Sequence, residues 1–96
     1  MMLGINVTYT MKPGGRAGFL AGIAACGVQA AVRREAGCLQ YDYFLPVGDE
    51  DSLLLMEKWT SREAQKVHMT QPHMVTMAEI KDRCATDNTV LEFYDF

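Results

Sequence analysis

The sequence has few of the features that mark a nucleic-acid binder or a disulfide-stabilised protein. Nine Lys and Arg residues are outnumbered by twelve Asp and Glu in the 96-residue chain, and two basic residues adjoin only at Arg33-Arg34. This balance argues against a nucleic-acid partner. The three cysteines are an odd number and show no C-x-x-C spacing. We therefore expect a reducing, cytoplasmic location and no cysteine-based zinc site.

Long apolar runs are also missing. The longest uncharged stretch, residues 17–32, is broken by three glycines and one glutamine, so it is too weakly apolar to be a membrane span. No basic segment precedes an apolar one, and we expect no secretory signal. With 49% hydrophobic and 22% charged residues, the composition is that of a globular protein, and residues 1–96 are predicted to form one domain.

Hydrophobic periodicity predicts four strands and two main helices. Apolar residues alternate over residues 2–10, 38–47, 52–59 and 87–96, which predicts strands there. Spacings of three and four predict one long helix over 16–35. A second, interrupted helix is predicted from a capping box at Thr60 and Glu63, with a new first turn at Pro72 and an end near Cys84. The order β-α-β-β-α-β predicts an α+β, ferredoxin-like split β-α-β fold, with an antiparallel sheet and helices on one face.

Size and patterning both predict a homodimer. A chain this short buries only about 60–70% of its surface on folding, and oligomerisation is a common remedy. The predicted strand 52–59 carries apolar residues on both faces, as a strand covered on both sides does. Since the chain has helices for only one side, a second subunit is expected to cover the other.

Several short motifs follow one another along the chain. Residues 35–41 read E-A-G-C-L-Q-Y, residues 57–59 read E-K-W, and E-A at 63–64, His68 and P-H at 72–73 come after them. Each motif is short, but their order and spacing together resemble the antibiotic biosynthesis monooxygenase family, in particular its quinol monooxygenase-like members. The resemblance covers essentially the whole chain.

This resemblance implies an assembly and a chemistry. It implies a dimer of the α/β-barrel type, in which two sheets pack face to face and each subunit has a pocket between its sheet and its helices. It also implies oxidation of a small aromatic quinol or phenol by O2 without a metal, flavin or haem cofactor. Because one fold hosts several chemistries, the function has to be argued from the site.

Candidate catalytic residues follow from that chemistry. His68 matches the family's histidine and is predicted to be the general base or an orienting donor. Asn6 is unusual inside a strand, and we expect it to be a catalytic donor that orients the substrate or O2. Trp59 is expected to stack on an aromatic substrate, and Met56 and Met77 to give the pocket an adaptable lining.

Four further residues receive weaker assignments. His73 and Tyr43 are expected to contribute to substrate binding, although packing in the core is the simpler interpretation of both. Glu57 lies in a strand predicted to be buried, so it needs a partner, and we expect a structural ion pair or hydrogen bond across the dimer. Tyr41 is assigned a structural role in packing or in the dimer.

The sequence is also compatible with two other functions. The chain could be a non-oxidative isomerase or lyase for a small carbonyl metabolite, which a charged pocket lined by Arg16, Arg62 or Lys66 would favour. It could also bind a small molecule without converting it. A metal site is not expected, because His68 and His73 are five residues apart across Pro72 and no carboxylate triad is near them.

Overall fold

The computed structural model describes all residues, 1–96, and contains four strands and four helices. Along the chain they are β1 (Leu3–Met11), α1 (Gly15–Ala25), α2 (Val28–Arg33), β2 (Cys38–Phe44), β3 (Ser52–Trp59), α3 (Arg62–His68), α4 (Pro72–Cys84) and β4 (Ala85–Asp95). The strands form one antiparallel sheet in the order β2-β3-β1-β4. This confirms the predicted ferredoxin-like fold. The sheet is open within one chain, with β2 and β4 as its edges.

The two faces of the sheet differ in character. The helix face of β1 carries Leu3, Ile5, Val7, Tyr9 and Met11, all at most 4% exposed, and forms the core with the helices. The other side, here called the open face, has no helix over it. It carries Gly4, Asn6 and Thr8 of β1, together with the residues that pair with them, such as Leu54, Met56 and Val90.

The long first helix was predicted wrongly as one piece. It is two helices, because Gly27 adopts a left-handed conformation with φ of +66° and ends the first at Ala25. Glycine takes such a conformation without steric cost. The small residues of α1 serve close packing, since a Cβ at Gly22 would lie 3.1 Å from the Ile80 side chain of α4.

Several element ends also differ from prediction. The N-cap of α3 is Ser61, whose hydroxyl accepts a hydrogen bond from the Ala64 N–H at 3.1 Å, and not Thr60, whose backbone N–H instead donates to Gly37 at 2.9 Å. Strand β2 ends at Phe44, and β4 begins at Ala85 because α4 runs into it without a loop. None of the helices combines the length and the apolar character that a membrane crossing requires.

Candidate active site

A cavity of about 250 Å³ lies between the helix face of the sheet and helices α3 and α4. Nine of its fourteen lining residues are hydrophobic, including Met74 and Met77 of α4. It falls just below the range of about 300–1,000 Å³ typical of pockets for drug-sized ligands. The size and lining suit one small, largely apolar molecule.

Strand register fixes the order of the lining residues along the cavity. Ile5 pairs with Glu57 and Phe93, whereas Tyr9, four residues further, pairs with Thr89. At about 3.4 Å per residue these two levels lie roughly 13 Å apart. We call them the Glu57 end and the Thr89 end. The cavity is therefore elongated and has two chemically different ends.

His68 lies at the Glu57 end and is almost completely buried, with a side chain 1% exposed. Its Nδ1 is 2.8 Å from Oε2 of Glu35, and its Nε2 is 3.9 Å from Oε1 of Glu57. Its ring centroid lies 4.6 Å from that of Trp59 and 5.7 Å from that of Tyr41. Because an ionised carboxylate only accepts, Nδ1 carries the proton of the neutral ring and Nε2 keeps a free lone pair.

Glu35 joins the two histidines. Its Oε2 also lies 2.7 Å from Nε2 of His73, so a continuous chain runs from His68 through Glu35 to His73. Side-chain exposure rises along it, from 1% to 10% to 21%. The chain therefore links the buried ring of His68 to a histidine that reaches solvent.

The sequence did not indicate that a single carboxylate, Glu35, lies against both histidines. Glu35 is 33 residues before His68, and the fold brings them together because the turn that follows α2 lies against Thr60 and α3. The side-chain nitrogen and oxygen atoms of Glu35, His68 and His73 lie within 4.8 Å of one another, so together they could bind a metal ion. Their N···O separations of 2.7–2.8 Å are those of hydrogen bonds.

Glu57 is buried on the helix face, and its partner is in the same chain. The Trp59 Nε1–H donates to its Oε1 at 3.1 Å. This corrects the expected bond across a dimer, because the side chain points away from the open face. Burial raises the pKa of Glu57, the neighbouring Glu35 adds to the rise, and the Trp59 hydrogen bond and His68 oppose it.

We expect Glu57→Gln to stabilise the protein at neutral pH by about 1 kcal/mol, the scale of a desolvation penalty. Because the pKa of Glu57 is higher in the folded state than its unfolded value of 4.5, the wild type loses stability as pH rises from 4.5 through the folded pKa. Below pH 4.5 Glu57 is protonated in both states, so the stability gained by Glu57→Gln should vanish there. Urea unfolding at pH 4 and pH 7 measures it, with the exposed Glu79→Gln as control. Equal stability of variant and wild type at pH 7 would contradict the expectation.

Tyr41 offers a free hydrogen-bond donor to the cavity. It pairs with Glu57 in register and is 1% exposed, and its buried hydroxyl lies near that of Tyr43 without a hydrogen bond of good geometry. Burial raises the pKa of Tyr41, so the hydroxyl keeps its proton. Its expected role in the dimer is not supported, because Tyr41 lies on the helix face. A ligand oxygen at the Glu57 end would satisfy this group.

The structure brings together some of the predicted residues. His68 and Met77 line the cavity. Trp59 packs behind His68, and His73 reaches the site through Glu35. Tyr43 does not line the cavity but packs edge-on against Tyr41, with ring centroids 6.0 Å apart.

Two predicted residues lie elsewhere. Asn6 and Met56 face each other across β1 and β3 on the open face, because strand residues alternate and Ile5 and Val7 occupy the helix face. The structure therefore does not place Asn6 in one cavity with His68. The Asn6 side-chain oxygen is buried there without a partner.

The cations that would favour carbonyl chemistry are also outside the cavity. Arg16 donates to the carbonyls of Asp49 and Ser52, Arg62 pairs with Asp95, and Lys66 is exposed. Lys81, which sequence reasoning did not single out, is the cation that lines the cavity. Lys81 follows Met74 by seven residues and Met77 by four, which places all three on one face of α4. This spacing could have identified it from the sequence.

Comparison with known proteins identifies the family. The antibiotic biosynthesis monooxygenase model matches residues 2–80. The Bacillus subtilis (strain 168) protein named "Putative monooxygenase YcnE" is 33% identical over 72 residues, which span 75% of this chain and 74% of that protein.

Solved structures share the fold. PA3566 of Pseudomonas aeruginosa has a TM-score of 0.86 at 24% identity, covering 99% of this chain and 93% of its own. A Nitrosomonas europaea protein has a TM-score of 0.90 at 17% identity, covering 99% and 89%. From the family match over most of its length and from its fold, the chain belongs to the antibiotic biosynthesis monooxygenase family.

Proposed function

We propose that this protein is a cofactor-independent monooxygenase that oxidises a small phenol or quinol with O2. The observation that carries the proposal is His68, buried at one end of an apolar cavity, with Nδ1 held by Glu35 and the lone pair of Nε2 free. A base in a water-poor pocket is the main requirement of this chemistry, since an electron-rich anion can reduce O2 directly.

The reaction balances without another oxidant. His68 takes the phenol proton at Nε2, and the phenolate passes one electron to O2 to give a phenoxyl radical and superoxide. Their recombination forms a carbon–oxygen bond at a ring carbon that bears hydrogen, and the peroxide is protonated by His68. Loss of water then leaves a quinone, so one oxygen atom enters the product and the other leaves as water.

Neighbouring groups support each charge that develops. Glu35, 2.8 Å from Nδ1, stabilises the imidazolium that forms on His68. The Tyr41 hydroxyl can donate to the phenolate oxygen, the task expected of Asn6 from sequence. His73 extends the chain to solvent. Nine hydrophobic lining residues against the one cation Lys81 favour this chemistry over carbonyl isomerisation.

Oxygen uptake tests the proposal. The purified, metal-stripped protein is offered quinols, naphthols and anthrones, with each rate corrected for autoxidation, and 18O2 is used to count labelled oxygens in the product. We expect protein-dependent uptake and one labelled atom per product. Tyr41→Phe, which removes only the donor, should lower the rate about 10²-fold. No uptake across the panel, with tight binding of one member, would indicate a binding protein instead.

A further inference from the structure

The Thr89 end of the cavity carries a cation without an acidic partner. Lys81 lines the cavity on the same face of α4 as Met74 and Met77. Two arginines form ion pairs with carboxylates, Arg33 with Asp42 and Arg62 with Asp95. Lys81 forms no ion pair. Asp82 and Asp87 share a polar groove with Lys81 outside the cavity, but neither pairs with it. The charge is therefore available to a ligand.

A second polar group at this end also lacks a partner. The Thr89 hydroxyl is buried and makes no hydrogen bond, and Thr89 lines the cavity beside Tyr9. A buried hydroxyl without a partner costs free energy, which a bound oxygen would recover. Lys81 and Thr89 together offer one charge and one hydroxyl to an anionic oxygen.

The opposite end repels such a group. Glu57 lines the Glu57 end, and Glu35 lies directly behind His68. A carboxylate, which has no proton to give to His68, is therefore unfavourable there and favourable near Lys81. The two levels are roughly 13 Å apart along the strands, and Lys81 is seven residues, or about 10 Å, along α4 from Met74. The charge pattern therefore favours a ligand with an anionic group and sets its orientation along the cavity.

Building on the proposed function, we propose that the cavity binds an aromatic phenol with a carboxylate at its far end. The phenol oxygen lies against His68 and Tyr41, and the carboxylate lies between Lys81 and Thr89. Because the two sites are at opposite ends, the carboxylate and the phenol must also be at opposite ends of the molecule, as on the two rings of a naphthalene. A neutral phenol lacks the second contact, and an ortho-hydroxy acid cannot make both contacts at once.

Binding of three naphthalene probes tests this inference. Calorimetry without oxygen compares 6-hydroxy-2-naphthoate, its isomer 3-hydroxy-2-naphthoate and uncharged 2-naphthol. The two acids have equal charge and composition, so they differ only in the placement of the two groups. We expect 6-hydroxy-2-naphthoate to bind about tenfold more tightly than the other two, a difference of about 1.4 kcal/mol.

Variants assign the difference to Lys81. Lys81→Met should remove the advantage of 6-hydroxy-2-naphthoate over 2-naphthol and over its isomer, whereas Lys81→Arg should keep most of it. Lys66→Met, at an exposed lysine on α3, serves as the control and should change nothing. Equal binding of the two isomers, or an advantage that survives in Lys81→Met, would overturn the inference.

Oxygen uptake separates the inference from the proposed function. Lys81-dependent binding of 6-hydroxy-2-naphthoate without any oxygen consumption would support the inference and contradict the monooxygenase. Oxidation of 2-naphthol at the same kcat/KM as the acid would support the monooxygenase and overturn the inference.

Discussion

Replacing His68 by alanine is expected to lower oxygen consumption by about 10²–10⁴-fold, the contribution of a positioned general base. At the Glu57 end, Nε2 of His68 is the proton acceptor. Its direction is fixed because Nδ1 of the same ring is hydrogen-bonded to Glu35 at 2.8 Å. Oε1 of Glu57 already accepts the Trp59 Nε1–H at 3.1 Å, so this oxygen is less available to take the phenol proton. Initial rates of uptake with the best phenol of the panel measure the effect.

The control for this variant has to separate chemistry from packing. His68 is buried against Trp59, so the alanine variant leaves a cavity and lowers stability by a few kcal/mol. Added imidazole can fill that space and accept the proton, and we expect it to restore part of the rate in proportion to its unprotonated fraction. A merely structural histidine would give no such pH dependence of rescue. Full activity in a folded His68→Ala protein would contradict the proposed base.

The sequence predicted the strands well because alternation is a local property. Strand β3 has the predicted bounds, 52–59, and the other three strands differ from their predicted ranges by at most three residues at an end. The break at Gly27 was missed because helical spacing continues through it, and only its left-handed conformation separates α1 from α2. The N-cap is Ser61 and not Thr60 because Ser61 is the extended residue directly before α3, and its hydroxyl accepts from the Ala64 N–H.

The site was harder to predict because its contacts are distant in sequence. His68 was found from its motif, but the motif does not show that Glu35 lies against it. Tyr41 was assigned to packing, and its free hydroxyl becomes visible only when its surroundings are known. Asn6 was noticed correctly as an unusual strand residue, yet alternation places it on the open face, where a substrate in the cavity cannot reach it.

The open face predicts a homodimer of about 21 kDa, twice the chain mass of 10.7 kDa. Family members are often dimeric, and here helices cover only one side of the sheet. The open face carries Leu54, Met56 and Val90, the last 52% exposed. It also holds the unpartnered amide oxygen of Asn6, which a second copy can satisfy. Light scattering at micromolar concentration measures the mass.

A charge at the centre of this face should separate the subunits. Leu54 lies opposite Thr8 on β1, and Leu54→Lys would bury an unpaired ammonium at a sheet-to-sheet contact. Such a burial costs about 3 kcal/mol, which raises the dimer Kd roughly 100-fold. Val75→Lys places the same charge on the exposed side of α4, where Val75 is 64% exposed, and should leave the dimer intact. A monomeric wild type would refute the face-to-face assembly. A dimer that Leu54→Lys leaves unchanged, or that Val75→Lys separates, would place the contact on another surface.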